Sequence, residues 1–69
     1  MYNKQKLKAE LVLRDMSMAD FAQKLNMNKS TLNRKINGKS EWSLSEIQSI
    51  KSIIGDEQTY EIFFGDKVS

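Results

Sequence analysis

The residues best suited to bind another molecule are concentrated between Asn26 and Lys39, in the stretch NMNKSTLNRKINGK. This stretch contains four cationic side chains and no acidic one, together with asparagines, a serine and a threonine. Guanidinium and ammonium groups bind phosphates and guanine edges, and carboxamides pair with adenine edges. These residue types therefore favour recognition of a polar, negatively charged molecule.

The spacing within the stretch separates an apolar side from a polar one. If residues 29–36 form a helix, Leu32 and Ile36 share one side at about 100° per residue. Ser30, Asn33 and Arg34 on the opposite side, with Lys29 at its margin near the start of the helix, are then candidate contacts to DNA bases in a major groove. Candidate phosphate contacts, in addition to the first-turn amides of the preceding helix, are Lys24, Asn28, Lys35, Asn37 and Lys39.

A solvated surface helix is the alternative interpretation of this polar face. Such a helix usually mixes both signs of charge as i, i+4 partners. Residues 21–40 instead contain five cations and no acid. The pattern therefore favours an anionic partner.

Three short stretches have the pattern of a helix start. Ser17 and Ser43 are each followed three residues later by an acid, as in a capping box, and Asn28 is a third cap without the acid. Apolar residues flank each cap at the spacing of a hydrophobic staple, in the pairs Met16/Phe21, Met27/Leu32 and Trp42/Ile47. These patterns predict helices that begin at about Met18, Lys29 and Leu44.

The helix ends are marked by residues that tolerate a left-handed backbone. Gly38 and Gly55 are placed to close helices that end near residues 36 and 54, and Asn26 can form the sharp turn between the second and third helices. Leucines at 7 and 11 predict a first helix over about 3–15, and a short fifth helix is predicted from 56 or 57 to about 63.

The predicted fold is therefore all-α, a compact bundle of five short helices in one domain over residues 1–69. Its helix-turn-helix spans about 18–36, and a C-terminal tail spans about 64–69. The expected core is Leu7, Leu11, Phe21, Leu25, Leu32, Ile36, Leu44, Ile47, Ile50 and Ile54.

Composition argues against catalysis and metal binding. The chain of 69 residues has no histidine and no cysteine, which removes the commonest general base and the thiolate ligands of zinc. No glycine-rich phosphate loop or paired-carboxylate spacing occurs. We therefore expect no enzyme activity and no cofactor. No apolar run approaches the length of a membrane span, so we expect a cytoplasmic protein.

Charge is distributed unevenly along the chain. Residues 1–40 contain nine lysines and arginines against three acids, and residues 41–69 contain two against six. The acidic half ends in an aromatic tail with Tyr60, Phe63 and Phe64. These aromatic side chains either complete the core or form a dimer or partner surface, because one short helix cannot readily bury two adjacent phenylalanines.

Residues 18–39, MADFAQKLNMNKSTLNRKINGK, resemble the helix-turn-helix of phage Cro and repressor proteins. The following SEWSLSEIQSIKSII resembles the loop and fourth helix of that family, and the likeness extends from about Leu7 to Ile54. It implies a lambda repressor-like domain that binds double-stranded operator DNA as a dimer, in a bacterial host cell. Among the residues named above, the resemblance assigns base contacts to Lys29, Ser30 and Arg34, with Asn28 and Asn33 as further candidates, and phosphate contacts to Asn37, Gly38 and Lys39.

Two positions depart from the family pattern. Met18 stands where the family often has glutamine or threonine that bonds to phosphate, and Asn26 replaces a glycine common in the turn. The short chain fits a Cro-like regulator better than a two-domain repressor. A second hypothesis keeps the same fold but assigns it a protein partner, such as the phage's own repressor or a toxin.

Overall fold

The computed structural model describes residues 2–65, so residues 66–69 of the predicted tail lie outside it. The described chain folds into α1 (Lys4–Leu13), α2 (Met18–Lys24), α3 (Lys29–Ile36), α4 (Leu44–Ile54) and α5 (Asp56–Phe64), without a strand. The predicted five-helix, all-α architecture is confirmed. The starts of α2, α3 and α4 lie at the predicted residues, and α1 is shorter at both ends than expected.

Each of the first four helices begins at a side-chain cap. The Ser17 and Ser43 hydroxyls accept hydrogen bonds from the amides of Asp20 and Glu46, at 3.0 and 3.2 Å. The carboxylate of each acid accepts a hydrogen bond from the amide of its serine, which completes the two capping boxes. Asn28 caps α3, and Asn3, which we expected inside the first helix, caps α1. These caps satisfy amides that have no partner within the helix.

Helices α1, α2 and α3 all end in the same hydrogen-bonding arrangement. In each, a left-handed residue follows the last turn, and the amide after it donates to the carbonyl five residues earlier. The bonds are Met16 to Leu11 at 2.9 Å, Met27 to Ala22 at 3.0 Å and Lys39 to Arg34 at 2.8 Å. The left-handed residues are Asp15, Asn26 and Gly38, with φ of 57°, 59° and 80°. Asn26 and Gly38 were predicted, whereas Asp15 was not.

Gly55 joins α4 directly to α5. Its φ of 98° and ψ of 161° place it in an extended conformation open to glycine, not in the left-handed helical one that we expected. Its amide still bonds to the carbonyl of Lys51 at 2.8 Å, and its carbonyl accepts the Thr59 hydroxyl at 2.7 Å. Gly55 therefore joins the two helices without a loop, and the start of α5 has no side-chain cap.

The core contains side chains from all five helices. Most predicted core residues are buried, and the buried hydrophobic set is Leu7, Leu11, Phe21, Ala22, Leu25, Leu32, Ile36, Ile50, Ile54, Ile62 and Phe63. Leu44 was wrongly assigned to the core, since it is 71% exposed. At about 100° per residue it lies roughly 120° around α4 from Ile50. Ile47 is only partly buried.

Three aromatic rings close one side of the core. Tyr2 stacks on Phe63 with 5.6 Å between ring centroids, and Trp42 meets Phe63 edge-on at 5.8 Å. Offset and edge-to-face arrangements of this kind are favourable beyond the area they bury. The cluster attaches the start of the chain and the α3–α4 loop to α5.

A buried carboxylate connects α1 to the C-terminal helices. Glu10 is 6% exposed and pairs with Lys6 and Arg14 on its own helix. The Arg14 guanidinium also donates to the Ile54 carbonyl at 3.2 Å, where the last carbonyls of α4 lack helical partners. Lys6 extends the network to Glu61 of α5 at 3.3 Å.

We expect Glu10→Gln to lower the free energy of unfolding by about 2 kcal/mol, because Arg14 loses its carboxylate partner and Lys6 loses one of two. This is less than for a fully buried pair, since the Lys6 and Arg14 side chains are 28% and 32% exposed. Urea unfolding followed by Trp42 fluorescence measures the change. The matched control is Glu41→Gln, at an exposed carboxylate without a partner among residues 2–65. Equal stabilities of the two variants would contradict a structural role for Glu10.

A second ion pair holds α3 against the start of α4. The Lys35 ammonium lies 3.1 Å from Glu46 and donates to the Glu41 carbonyl at 2.8 Å. Partial burial by itself raises the pKa of Glu46. The hydrogen bond from the Ser43 amide and the Lys35 ammonium outweigh that effect, and the pKa of Glu46 falls below its ordinary value.

This lowered pKa predicts how stability depends on pH. The contribution of Glu46 is fully present above its ordinary pKa of 4.5 and is lost as pH falls through the lower pKa of the folded protein. Glu46→Gln removes the titrating group, so we expect wild type to be the more stable protein at pH 7. Urea unfolding between pH 7 and pH 3 should show this advantage shrinking below pH 4.5. An advantage that did not change with pH would exclude the ion pair as its source.

Candidate nucleic-acid interface

The position of α3 is fixed by a short turn and a shared apolar interior. Four residues, 25–28, connect α2 to α3. Phe21 and Leu32, one from each helix, are both fully buried. The small side chain of Ala22 is 4% exposed and lies in the same interior. Because both helices are packed and capped, the outward face of α3 is held rigidly.

The structure places three of the four predicted base-contacting residues on that outward face and the fourth at its margin. Leu32 and Ile36 are 0% and 1% exposed, so the opposite side of α3 faces solvent. Ser30, Asn33 and Arg34 are exposed on that side, and Lys29 is exposed at the start of the helix. No acidic residue occurs in the first turn of α3, and its last turn carries Arg34 and Lys35. The face combines hydrogen-bond donors with positive charge, as a major-groove surface requires.

Beyond the end of α3, the side chains and not the backbone remain available for phosphate. The amides of Gly38 and Lys39 donate back to the carbonyls of Lys35 and Arg34, at 3.2 and 2.8 Å. The family resemblance assigned Gly38 to phosphate, but its amide is occupied in this turn. The exposed Asn37 and Lys39 side chains remain as candidates.

Lys4 is a candidate that the sequence did not reveal. Its ammonium donates to the Asn37 side-chain carbonyl at 3.3 Å, which places the start of α1 beside the end of α3. This contact uses the oxygen of the carboxamide and leaves its NH₂ group as a donor. The two residues are 33 positions apart, so no local pattern could have indicated the contact.

The side chain of Lys35, a predicted phosphate contact, points toward α4 and away from the outer face of α3. Its side chain is only 14% exposed, because its ammonium is held by Glu46 and the Glu41 carbonyl. The structure therefore gives Lys35 an internal role that joins α3 to α4. Its charge is compensated by Glu46, and it adds little positive potential to the outer face.

The start of α2 is less suited to phosphate than we expected. The Ser17 hydroxyl already occupies the Asp20 amide, and the Asp20 carboxylate sits at the same helix end. The hydrogen bond from the Ser17 amide lowers the pKa of Asp20, so this position carries a negative charge at neutral pH. Lys24, at the other end of α2, is exposed, as is Asn28, whose side-chain oxygen caps α3 and whose NH₂ group can still donate.

The three aromatic residues predicted for a dimer or partner surface are divided by the fold. Phe63 is 8% exposed and belongs to the ring cluster of the core, so it cannot form part of an exposed surface. Tyr60 and Phe64 are 51% and 42% exposed, with 5.8 Å between their ring centroids. The adjacent phenylalanines thus point in different directions, one inward and one outward.

A metal-binding cluster and a membrane-spanning helix are both absent from the part of the chain that the structure describes. Among residues 2–65, no group of three acidic, histidine or cysteine side chains is placed to hold a metal ion. None of the helices in that range is both long enough and apolar enough to cross a bilayer. The acid-free face of α3 is the most distinctive chemical feature of this part of the chain.

A family model described as the Cro/C1-type helix-turn-helix DNA-binding domain matches residues 6–55. A search of curated proteins and a search of solved structures found no match. The matched range begins within α1, includes α2, α3 and α4, and ends at Gly55. This chain therefore belongs to the family of Cro/C1-type helix-turn-helix DNA-binding domains.

Proposed function

We propose that the protein is a transcriptional regulator of the Cro type that binds a specific operator sequence as a dimer, with α3 of each copy in the major groove. The observation that supports this most directly is the composition of the outer face of α3. Lys29 and Arg34 are suited to guanine, Asn33 is suited to adenine, and Ser30 can bond to several bases. In this proposal the protein acts in the cytoplasm of a bacterial cell, on phage operator DNA.

Exposed hydrogen-bond donors at both ends of α3 support the proposed orientation on DNA. Lys24 and Asn28 lie near its start, and Asn37 and Lys39 lie at its end. Lys4 adds a second ammonium group beside Asn37. Phosphate contacts at the two ends of a recognition helix fix its register, and base contacts between them then supply specificity.

A second candidate function is supported by the apolar surface on the other helices. Leu44, Tyr60 and Phe64 are substantially exposed, and they line one groove between α4 and α5. An exposed apolar groove in a small domain indicates a protein contact. In this second candidate function, the chain modulates another phage regulator by binding to it and uses DNA little or not at all.

Selection of bound duplexes from a random DNA pool distinguishes the two functions. We expect enrichment of a two-fold symmetric site with half-sites about 34 Å apart. Titration of the selected duplex at two salt concentrations should show a steep loss of affinity, because bound phosphates release counterions. If folded protein enriches no sequence, operator binding is excluded, and the α4–α5 groove becomes the surface to study.

Arg34→Ala tests direct recognition of bases. We expect the variant to lose roughly 1–3 kcal/mol of binding to the selected site and to tolerate substitution at one base pair of each half-site. Binding to the wild-type site and to singly substituted sites measures both effects. The Arg34 side chain makes no hydrogen bond or ion pair to other residues within 2–65, so the fold should be unchanged. Unaltered affinity and specificity would remove Arg34 from the proposed base contacts.

Lys39→Ala tests the phosphate contacts. We expect weaker binding to all duplexes alike, and a salt dependence reduced by about one phosphate contact. The matched control is Lys51→Ala on α4, whose ammonium is exposed and lies 3.9 Å from Asp56. Equal effects of the two substitutions would show that Lys39 contributes only to the net charge of the protein.

A further inference from the structure

The outward face of α1 is apolar and basic. Its exposed residues form two rows at i, i+4 spacing, with Gln5, Ala9 and Leu13 in one row and Lys8 and Val12 in the other. Val12 and Leu13 are 77% and 76% exposed, the largest values among the exposed large hydrophobic residues. No acid lies on this face, because Glu10 points inward. Adjacent exposed aliphatic side chains at one end of a helix indicate a surface that is covered by another protein.

The outward face of α5 is aromatic and acidic. Glu57, Tyr60, Glu61 and Phe64 are all exposed and recur at i, i+3, i+4 and i+7, the spacing of one helical face. The Glu57 carboxylate makes no ion pair among residues 2–65, and neither does the Lys8 ammonium of α1. Each face therefore presents the type of charge that the other lacks.

These two faces form one continuous surface, because α1 and α5 are antiparallel neighbours. The Asn3 amide donates to the Ile62 carbonyl at 2.6 Å, and Lys6 meets Glu61 at 3.3 Å. At the other end, Arg14 reaches the carbonyl of Ile54, just before α5 begins. The start of α1 thus lies beside the end of α5. Along the shared direction of the two helices, Lys8 lies at about the same level as Glu57.

We propose that this surface binds the same surface of a second copy, with α1 of each copy packed on α5 of the other. A two-fold axis that runs parallel to the helices, along the seam between them, produces this arrangement. Each residue of the second copy then lies at the same position along the axis as its counterpart. Lys8 of one copy then faces Glu57 of the other, twice. Leu13 projects toward the same side of α1 as Lys6, near the seam, so it contacts Leu13 of the second copy. The inference rests on the proposed function, which requires a dimer, and adds where the two copies meet.

Charge favours this pairing over direct contact between the two α5 helices. An α5–α5 contact about an axis parallel to the helices brings Glu57 and Glu61 toward their own counterparts, and like charges across an interface are unfavourable. The α1–α5 contact replaces that repulsion by attraction. It also covers Val12 and Leu13, which an α5–α5 contact leaves in water.

The test is a charge exchange, measured by sedimentation equilibrium of the full chain without DNA. We expect Lys8→Glu and Glu57→Lys each to raise the dimer dissociation constant about tenfold, and the double variant to restore most of that loss. Lys51→Glu, on the exposed side of α4, is the matched control and should have little effect. Circular dichroism confirms that each variant keeps its helix content.

Several outcomes would overturn the proposal. A wild-type chain that remains monomeric at millimolar concentration excludes this contact. The contact is also excluded if the double variant loses as much dimer affinity as its two single substitutions together. Loss of dimer in Leu44→Ser, with unchanged association in Lys8→Glu, assigns the interface to the α4–α5 groove instead. Binding of Lys8→Glu to a single half-site of the selected DNA separates the two failures. If only the proposed interface is wrong, Lys8→Glu still binds the half-site. If operator binding itself is wrong, neither Lys8→Glu nor wild type binds it.

Discussion

The arrangement of this domain depends on how the backbone groups at its helix ends are satisfied within very short turns. The connections α1–α2 and α2–α3 are each four residues long, and their last three residues have the same three roles in the same order. A left-handed residue ends one helix, an apolar residue packs on the core, and a polar residue caps the next helix. The triplets are Asp15-Met16-Ser17 and Asn26-Met27-Asn28. Because each triplet closes one helix and opens another, it leaves little freedom in the angle between them.

This rigidity determines which cations can face a ligand. The end of α3 is closed by Gly38 and drawn to α4 by the Lys35–Glu46 pair, so one lysine of the basic stretch is used to hold the helix in place. Arg14 is used in a similar way, between Glu10 and the end of α4. The cations of α3 without internal partners among residues 2–65 are Lys29, exposed at the start of the helix, and Arg34, on its outer face. Net charge alone would not distinguish these two groups of side chains.

Features set by neighbouring residues could be predicted from the sequence. Caps, capping boxes and the left-handed Asn26 and Gly38 depend on a few consecutive residues, and the structure has them where the patterns indicated. The outer face of α3 was also predictable, because helical periodicity alone opposes it to Leu32 and Ile36. The actual contacts of that face with bases stay a prediction.

The features that the sequence did not reveal depend on tertiary contacts. Several concern adjacent residues of similar type, of which only the folded structure decides which one is buried. Lys35 and Arg34 are adjacent cations, and only the position of Glu46 on the next helix decides that Lys35 turns inward. Phe63 and Phe64 differ only in which one meets Tyr2 and Trp42. Leu44 has the residue type of a core position but lies on the wrong side of α4. Asp15 was missed because aspartate occupies the left-handed region less readily than glycine or asparagine.

The cations of α1 are divided between two surfaces of the molecule. Its first turn carries Lys4 beside Asn37, next to the proposed DNA-binding face, and its outer rows carry Lys8, Val12 and Leu13 toward the proposed second copy. Its inner face is fixed to α4 and α5 through Glu10 and Arg14. In the proposed dimer, this one helix connects the proposed DNA-binding face to the surface that sets the spacing between two such faces. Because α1 is bonded to other helices near both ends, a displacement of the second copy would then move the end of α3 as well. An operator whose half-sites are spaced differently should therefore be rejected by the geometry of that dimer, even where every base contact is available.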